Sequence, residues 1–331
     1  MKIAVVGATG LVGQKMLRVL EEQKLEVTEL IPVASAKSAG KTVLFNKKNW
    51  LVITAEEAIA MKPQIALFSA GGSTSLALAP RFAAVGTIVI DNSSAWRKDP
   101  AVPLVVPEVN AHVIKETDRI IANPNCSTIQ MVMALAPLHH AYGIKRLVIS
   151  TYQSVSGSGV IGVSQLENEQ NGQFNGQKAY PHQIHMNLIP HGGDFDESGY
   201  TSEEQKLVFE TRKIMEAPDI AITATVVRVP VSGGHSMAVN IELANEYAIE
   251  DVRKLLQNSN GLSLMDEPLK NVYPMPLFAA DKDDVFVGRI RRDESIPNGL
   301  NIWVVADNLR KGAATNAVQI AAWLIKNKFL D

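Results

Sequence analysis

The 331-residue sequence has little of several features that define other classes of protein. Its single cysteine excludes an internal disulfide framework and is typical of a reducing compartment. A net charge of −2, with both signs interspersed, provides no basic surface for nucleic acid or an anionic membrane. No apolar run reaches membrane-spanning length, and the run after Met1 is too short for a signal peptide. We therefore expect a soluble, cytoplasmic protein without nucleic-acid or membrane partners.

Hydrophobic residues, at 46%, are abundant enough to form a large core, and the length predicts two domains. In the first third, short β-rich runs alternate with helical patterns, which indicates a parallel sheet covered by helices on both faces. The predicted strands are residues 3–6, 27–34, 65–69 and 87–90, and the predicted helices are residues 11–23 and 76–85.

The pattern changes after residue 126, where longer β-rich segments follow one another with few helices between them. These segments are residues 146–154, 220–231, 236–244, 285–292 and 301–306. They predict an α+β second domain with an antiparallel or mixed sheet. Residues 308–329 read as one helix that closes back onto the first domain, so we expect domains at 1–124 plus 308–331 and at 125–307.

The lone cysteine, Cys126, stands at the predicted start of a helix. Pro124 stops a helix from entering this point, and Asn125 can cap one that begins here. A thiol in a first turn faces unpaired backbone N–H groups and the positive end of the helix dipole, which favour the nucleophilic thiolate. The alternative is that Cys126 is a small buried hydrophobic residue.

A glycine-rich turn follows the first predicted strand directly. Gly7, Gly10 and Gly13 let the backbone approach a pyrophosphate that rests on the start of the next helix. The spacing departs from the usual G-x-G-x-x-G, so a turn that binds nothing remains the alternative.

The end of the second strand bears on which nucleotide would bind. An NAD-binding fold places an acidic residue there to hold the ribose 2′-hydroxyl. This sequence instead has Ser35, Lys37 and Ser38, which suit a 2′-phosphate and favour NADP. The alternative is an ordinary solvated basic loop.

Several polar residues can serve a nucleophilic cysteine. His235 follows two glycines at a strand end and can carry protons. Arg228 precedes the same turn and has the planar fork that suits a carboxylate. Arg97 follows a predicted parallel strand, where such sheets bind ligands. Glu203 and Lys206 share a helix face, either as ligand-binding groups or as a solvated ion pair.

Three further histidines, His182, His185 and His191, lie in a Gly- and Pro-rich stretch between residues 171 and 200. This stretch lacks a cysteine and the helical spacing of a zinc site, so we expect no metal. Its apolar residues predict a loop that is ordered by contact with another surface.

These motifs together resemble the aspartate-semialdehyde dehydrogenase family over nearly the whole chain. The matching segments, in the family's order, are the glycine turn at 7–13, residues 69–72, 92–97, 123–128 and 153–157, Glu203 with Lys206, and residues 228–235 and 307–312. The cysteine and histidine segments are the most specific of these, and no catalytic position departs from the family's pattern.

The resemblance implies a Rossmann-type NADP-binding domain, a catalytic and dimerisation domain, and a homodimer with residues 171–200 near its contact. It implies the reversible reduction of L-aspartyl-4-phosphate to aspartate 4-semialdehyde and phosphate. This reaction belongs to the biosynthesis of lysine, through diaminopimelate, and of threonine, methionine and isoleucine. In it, Cys126 forms an acyl-thioester and His235 transfers protons.

The resemblance also assigns binding roles. Gln153 and Asn125 orient the acyl group and its oxyanion, Arg228 binds the α-carboxylate, and Glu203 binds the ammonium group. Arg97 and Lys206 bind phosphate. Cofactor binding falls to the following residues: Gly7, Thr9, Gly10, Leu11, Val12, Ser35, Lys37, Ser38, Gly71, Ser156, Gly157 and Asn308.

Three other functions remain open. N-acetyl-γ-glutamyl-phosphate reductase shares the fold and the thioester chemistry, but its acylated substrate offers no ammonium group to Glu203. Glyceraldehyde-3-phosphate dehydrogenase differs in the residues around the cysteine. A non-catalytic NADP-binding paralogue would be expected to lack Cys126 or His235, and this chain has both.

Overall fold

The computed structural model describes residues 1–330 and divides into two compact units. The first unit contains residues 1–125 and the C-terminal segment from Ala313, and the second contains residues 126–312. Residues 308–312, which we predicted to lie with the first domain, belong to the second unit. The amide of Asn308 bonds Ser154, Ser156 and Gly234 there.

The strands are β1 (Lys2–Val6), β2 (Glu29–Val33), β3 (Thr42–Phe45), β4 (Lys48–Leu51), β5 (Ile65–Phe68), β6 (Ile88–Asp91), β7 (Ile120–Ala122), β8 (Ile144–Gln153), β9 (Ala221–Arg228), β10 (His235–Leu243), β11 (Leu262–Leu264), β12 (Val285–Asp293) and β13 (Gly299–Ala306). The α-helices are α1 (Leu11–Glu22), α2 (Ala55–Ala60), α3 (Gly72–Ala84), α4 (Pro107–Asn110), α5 (Cys126–Tyr142), α6 (Gly159–Gln170), α7 (Ser202–Ile214), α8 (Ile249–Gln257), α9 (Pro276–Ala279) and α10 (Thr315–Lys326).

The first unit is built on a five-stranded parallel sheet in the order β2-β1-β5-β6-β7, which confirms the predicted Rossmann-type fold. Strand β1 is buried on both faces, because Ile3 and Val5 pack with α1 and α10 while Ala4 and Val6 pack with Phe68 on β5. The strand order reverses between β1 and β5. In such sheets the crevice at the carboxyl ends of these strands is where ligands bind.

The second unit contains a six-stranded mixed sheet in the order β11-β12-β13-β10-β8-β9, as predicted for an α+β domain. Pairs β11–β12 and β8–β9 are parallel and the others are antiparallel. Along β10, Met237 and Val239 are buried, whereas Ala238 and Asn240 between them are only half-buried. Because strand side chains alternate, one face of the sheet carries the core and the other remains partly open.

Two features of the fold differ from the prediction. The predicted final helix over residues 308–329 begins two residues later, as a π-helical segment over Arg310–Ala314 that continues into the α-helix from Thr315. The Asp307 carboxylate accepts the backbone N–H groups of Leu309 and Arg310 and holds a turn before it. The sequence reading also missed α6, α8 and the β3–β4 hairpin. Among residues 1–330, no helix combines the length and apolar composition needed to cross a membrane.

Candidate active site

Cys126 opens the 17-residue helix α5, as the sequence predicts. Its side chain is partly exposed, while most of the helix behind it is buried. The chain passes close beside it at Gly312, where a Cβ atom would lie 3.0 Å from the Cβ of Cys126. The structure therefore places the thiol at the open end of a buried helix, in a turn whose N–H groups favour negative charge.

Strand register brings three predicted residues to one edge of the second sheet. Gln153 ends β8 and pairs with Arg228, which ends the parallel strand β9. His235 begins β10 next to Ser236, which pairs with Tyr152 of β8. No local sequence pattern shows this meeting, because it depends on how distant strands pair.

Two hydrogen bonds join this edge to the first turns of α5. Gln153 donates from Nε2 to the Ser127 hydroxyl at 3.0 Å. Gln130 donates from Nε2 to the backbone oxygen of His235, also at 3.0 Å. Because Ser127 follows Cys126 and Gln130 lies one helical turn after it, these bonds fix the cysteine's helix against the histidine's strand.

His235 is fully buried, and a hydrogen bond to its ring indicates which tautomer the neutral ring adopts. The backbone N–H of Ser154 donates to Nδ1 at 3.1 Å, so the neutral ring carries its proton on Nε2. Burial, together with the positive charge of Arg228, lowers the pKa of His235 to about 3. Nε2 is buried and has no hydrogen-bond partner among residues 1–330, so it is available to a bound substrate.

A hydroxyl relay lies behind the other ring nitrogen. The Ser154 Oγ is 3.0 Å from Nδ1 of His235 and 3.0 Å from Oδ1 of Asn308. When Nδ1 carries a proton, the Ser154 hydroxyl can accept a hydrogen bond from it and donate one to Oδ1 of Asn308. Ser156 also bonds the Asn308 amide. The predicted cofactor role of Ser156 and Asn308 stays a prediction, since their side chains here bond one another, Ser154 and the backbone N–H of Gly234.

Arg228 is buried and has donors to spare. Its Nη1 donates to the backbone oxygen of Ser154 at 3.1 Å, and its guanidinium carbon lies 5.8 Å from the ring centre of Tyr180. Its Nε has no hydrogen-bond partner in the part of the chain that the structure describes. A buried, unpaired donor on a cation indicates an anionic ligand. Tyr180 was missed in the sequence because only the tertiary fold brings it to Arg228.

Gly157 shows how closely these groups approach one another. A Cβ atom there would lie 2.9 Å from Nη1 of Arg228 and 3.1 Å from Nε2 of His235. Arg228 and His235 therefore flank the same backbone position, where only glycine fits without displacing them. Packing therefore requires glycine at position 157, independently of the predicted contact of Gly157 with the cofactor.

Glu203 and Lys206 lie at the start of α7 and form an ion pair with a separation of 2.5 Å. Their side chains are 16% and 22% exposed, so the pair is partly shielded from solvent. Thr201 caps this helix with Glu204 in a capping box, which fixes the turn that carries both residues. The structure thus pairs the acid and the base that we predicted to bind different parts of the substrate.

In the first unit, Arg97 is buried within a network of asparagines. It donates to the backbone oxygens of Asn123 and Asn92 at 3.0 and 2.9 Å. The Asn123 side chain in turn donates to Oδ1 of Asn92 and accepts from Nδ2 of Asn316, each at 2.7 Å. The network holds the segment that ends at the buried Asn125. Asn316 was missed because it is 193 residues away from Asn123 in sequence.

A cavity of about 470 Å³ lies in the first unit at the reversal of strand order. Predicted cofactor residues Gly7, Thr9, Gly10 and Ser35 line it. Leu11 and Val12 open the adjoining helix α1, and Gly71 precedes α3. Lys37 and Ser38 follow in the loop after β2 but do not line the cavity, and Lys37 is exposed.

The glycines of the turn fit a nucleotide. Gly7 has φ +88° and a Cβ there would lie 2.2 Å from the oxygen of Ser69, so packing requires glycine. A Cβ at Gly13 would lie 2.1 Å from the oxygen of Gly7. At Gly10 the nearest atom is 3.4 Å away, so the protein itself leaves this position open. Gly10 also caps α1 without a side chain, leaving the helix N-terminus to an anion such as pyrophosphate.

No group of three or more His, Cys, Asp or Glu side chains within residues 1–330 is arranged to hold a metal ion. His191 instead stacks on Phe195, with ring centres 4.5 Å apart. His182 contributes its backbone oxygen to a bond from Gln165.

The chain matches two family descriptions: "Semialdehyde dehydrogenase, NAD binding domain" over residues 2–117 and "Semialdehyde dehydrogenase, dimerisation domain" over residues 135–311. It is 51% identical to aspartate-semialdehyde dehydrogenase of Aquifex aeolicus, covering 98% of each chain.

Two solved structures extend the comparison. One is aspartate semialdehyde dehydrogenase II of Vibrio cholerae complexed with ASA, at 46% identity, TM-score 0.94 and 98% coverage of both chains. Another is aspartate semialdehyde dehydrogenase with NADP from Candida albicans, at 25% identity, TM-score 0.78 and 99% coverage of both chains.

Proposed function

The chain belongs to the aspartate-semialdehyde dehydrogenase family, and from this premise we propose how its residues perform the reaction. The enzyme reversibly reduces L-aspartyl-4-phosphate to L-aspartate 4-semialdehyde and phosphate, with NADP(H) as its cofactor. This step serves the biosynthesis of lysine, threonine, methionine and isoleucine. We place the enzyme in the cytoplasm, because a cysteine nucleophile must stay reduced.

The observation that carries the mechanism is the attachment of Cys126's helix to the strand of His235 through Gln130 and Gln153. The Cys126 thiolate attacks the acyl carbon of the substrate, a C–S bond forms, and phosphate leaves with the electrons of the C–O bond. His235 faces the substrate with Nε2. With its proton on Nε2, the ring donates a hydrogen bond to the oxygen on this carbon; with its proton on Nδ1, next to the Ser154 hydroxyl, Nε2 takes a proton from that oxygen or returns it. The Ser154 hydroxyl, which is bonded to Oδ1 of Asn308, stabilises the positive charge of the protonated ring on its Nδ1 side.

The first-unit cavity is where NADP(H) binds in this proposal, with its pyrophosphate at Gly10 and the start of α1. When bound, NADPH supplies the hydride that reduces the thioester carbon. Ser35 lines the cavity where the ribose end of the nucleotide is expected, and Lys37 follows it along the loop.

Substrate recognition follows from charge. The free donors of Arg228 bind the α-carboxylate, and Glu203 binds the ammonium group. Lys206 and Arg97 are each assigned to phosphate, while Gln153 and Asn125 orient the acyl oxygen. Without substrate, Glu203 and Lys206 neutralise one another, so binding replaces their ion pair by two ligand contacts.

The decisive assay for this function is phosphate-dependent reduction of NADP with aspartate semialdehyde beside N-acetylglutamate semialdehyde. We expect turnover with the first aldehyde and little with the second. A preference for the acetylated aldehyde would make the chain an N-acetylglutamyl-phosphate reductase.

Replacing Glu203 by Gln tests the ammonium contact. The amide keeps the shape but removes the charge, so we expect KM for aspartate semialdehyde to rise by about tenfold or more. Lys206→Ala is the matched variant and should raise KM for phosphate instead. Since the two side chains pair, a purely structural ion pair would make both variants change the same constant. That outcome, or unchanged aldehyde kinetics in Glu203→Gln, contradicts the assignment.

Replacing Lys37 by Glu tests the choice of nucleotide. The new carboxylate repels a 2′-phosphate but not a 2′-hydroxyl, so we expect the Kd for NADP to rise about tenfold and that for NAD to change little. Fluorescence titration of both nucleotides measures the ratio. Lys41→Glu, the same charge change further along the loop, is the control. Equal losses for both nucleotides would show that Lys37 does not contact the phosphate.

We propose a homodimer formed through the second unit, supported by the dimerisation-domain match over residues 135–311. The partly open face of the six-stranded sheet offers the surface for it. Our placement of residues 171–200 near the contact stays a prediction.

A further inference from the structure

We propose that an acidic hairpin of one subunit, residues 194–201, docks into an arginine-lined pocket on the second subunit. The inference rests on the homodimer proposed above and names the contact that would specify it. Because a two-fold dimer repeats each contact, hairpin and pocket would meet twice in one interface.

The pocket lies on the open face of the six-stranded sheet and has a volume of about 370 Å³. Ala238 of β10 and Trp303 of β13 form its floor, and Tyr273 forms part of its wall. Trp303 is held in place by a bond from Nε1 to the backbone oxygen of Pro274 at 3.0 Å. The pocket is therefore a preformed site with aromatic and aliphatic walls.

Two arginines, Arg289 and Arg291, line the same pocket, and none of the described residues that line it is acidic. Both are exposed, and neither is in a salt bridge among the described residues. The register of β12 against β13 shifts between Gly288 and Arg291, and Arg289 has φ +54°. This bulge brings both arginines to one pocket, as bulges commonly re-aim side chains. The pocket thus presents two positive charges that form no salt bridge, although the Asp293 carboxylate interacts electrostatically with Arg291.

The hairpin carries the complementary chemistry within the predicted contact loop. Phe195 is 59% exposed and is flanked by the acids Asp194, Asp196 and Glu197. The hairpin is a defined structure, because Phe195 bridges to Thr201 and the backbone N–H of Asp196 bonds the oxygen of Tyr200 at 2.8 Å. An aromatic ring surrounded by carboxylates fits a pocket of aromatic walls and arginines.

Both partners are on the open face of the sheet, near opposite ends of it. The Tyr200 hydroxyl lies 3.0 Å from Oγ1 of Thr223, which alternates with buried Ala224 on the edge strand β9. The arginines lie on β12, near the other edge. They are too far apart in the sheet order to belong to one local site, since β13, β10 and β8 lie between them.

Two-fold symmetry brings these ends together. When two identical sheets pack face to face about an axis parallel to their strands, the β9 end of one lies over the β12 end of the other. Packed sheets keep their strands within about 30° of each other, which this axis allows. The surroundings of the pocket also favour a protein partner, because Leu277 and Phe278 of α9 are 82% and 45% exposed.

The test is the dimer dissociation constant, measured by sedimentation equilibrium on the full chain. Reversing both arginines, Arg289→Glu with Arg291→Glu, should raise it at least tenfold, because acids then face acids. Lys24→Glu with Lys115→Glu makes the same charge change on the first unit and should leave it unchanged. Phe195→Ala should weaken the dimer without any change of charge.

A charge swap separates a direct contact from a folding defect. The side chains of Asp194 and Glu197 are exposed, so Asp194→Lys with Glu197→Lys should not disturb the hairpin. A chain that carries all four reversals should regain the tight dimer. Failure of this rescue, or a dimer untouched by the arginine reversals, overturns the docking proposal. A wild-type chain that sediments as a 35.9 kDa monomer overturns the homodimer itself.

Discussion

Cys126→Ala should lower kcat by at least about a thousandfold, because removal of a covalent nucleophile leaves only binding and electrostatic effects. The thiol opens α5 and is partly exposed, whereas the nucleotide cavity is lined by residues 6–78 of the first unit. NADP binding and the melting temperature should therefore stay close to those of the wild type. Steady-state kinetics with aspartate semialdehyde and phosphate measure the loss.

Cys126→Ser is the matched control, because its hydroxyl occupies nearly the same volume but attacks a carbonyl carbon far less readily. We expect it to be almost as inactive as the alanine variant. Mass spectrometry of the wild-type enzyme with aspartate semialdehyde and NADP, in the absence of phosphate, should show the acyl group on the peptide that contains Cys126. Activity above about 10⁻³ of wild type in Cys126→Ala would contradict a covalent mechanism.

His235→Asn should lower kcat by about 10²- to 10⁴-fold, the range expected for loss of general acid–base catalysis. The asparagine amide can still accept the Ser154 N–H, so the strand end keeps its bond, but it cannot carry a proton. We expect KM for aspartate semialdehyde to change much less than kcat, because in the proposed mechanism Arg228 and Glu203 bind the charged groups. A variant with large KM and unchanged kcat would make His235 a binding residue only.

The buried ring also predicts a pH dependence of stability. The pKa of His235 is lowered by burial from 6.5 to about 3 in the folded protein. Between these values the unfolded chain binds a proton that the folded chain does not, so this group makes stability fall as the pH falls. The slope is at most about 1.4 kcal/mol per pH unit, and the effect is absent above the unfolded pKa.

Urea unfolding of wild type and His235→Asn from pH 7 to pH 4 measures this contribution as a difference between slopes. We expect the wild type to lose stability more steeply than the variant over this range. Parallel curves would show that the ring protonates in the folded protein as easily as in the unfolded chain.

Local patterns in the sequence were sufficient for the elements that carry the chemistry. In the first third, the alternation of short β-rich runs with helical patterns predicted the parallel sheet. In the rest of the chain, β-rich segments with few helices between them predicted the mixed sheet. Pro124 and Asn125 marked the start of α5 because helix boundaries depend on a few neighbouring residues. The glycines at 7, 10 and 13 were readable for the same reason, since a tight turn constrains its own residues.

Contacts between residues far apart in the chain could not be predicted from the sequence, and these contacts decide how the candidate site works. Only strand pairing brings Gln153, Arg228 and His235 to one edge, and only folding buries the His235 ring and lowers its pKa. The sequence likewise did not predict that Tyr180 lies beside Arg228, or that Asn316 bonds Asn123.

The sequence by itself therefore determined the fold class, the family and the chemical types present, because these depend on short-range patterns and on motifs in order. The tertiary structure alone decided which donors are left unpaired, which charges face one another and which ring nitrogen carries the proton. These properties arise from burial and from hydrogen bonds between segments far apart in the chain. Neither is encoded at any single position.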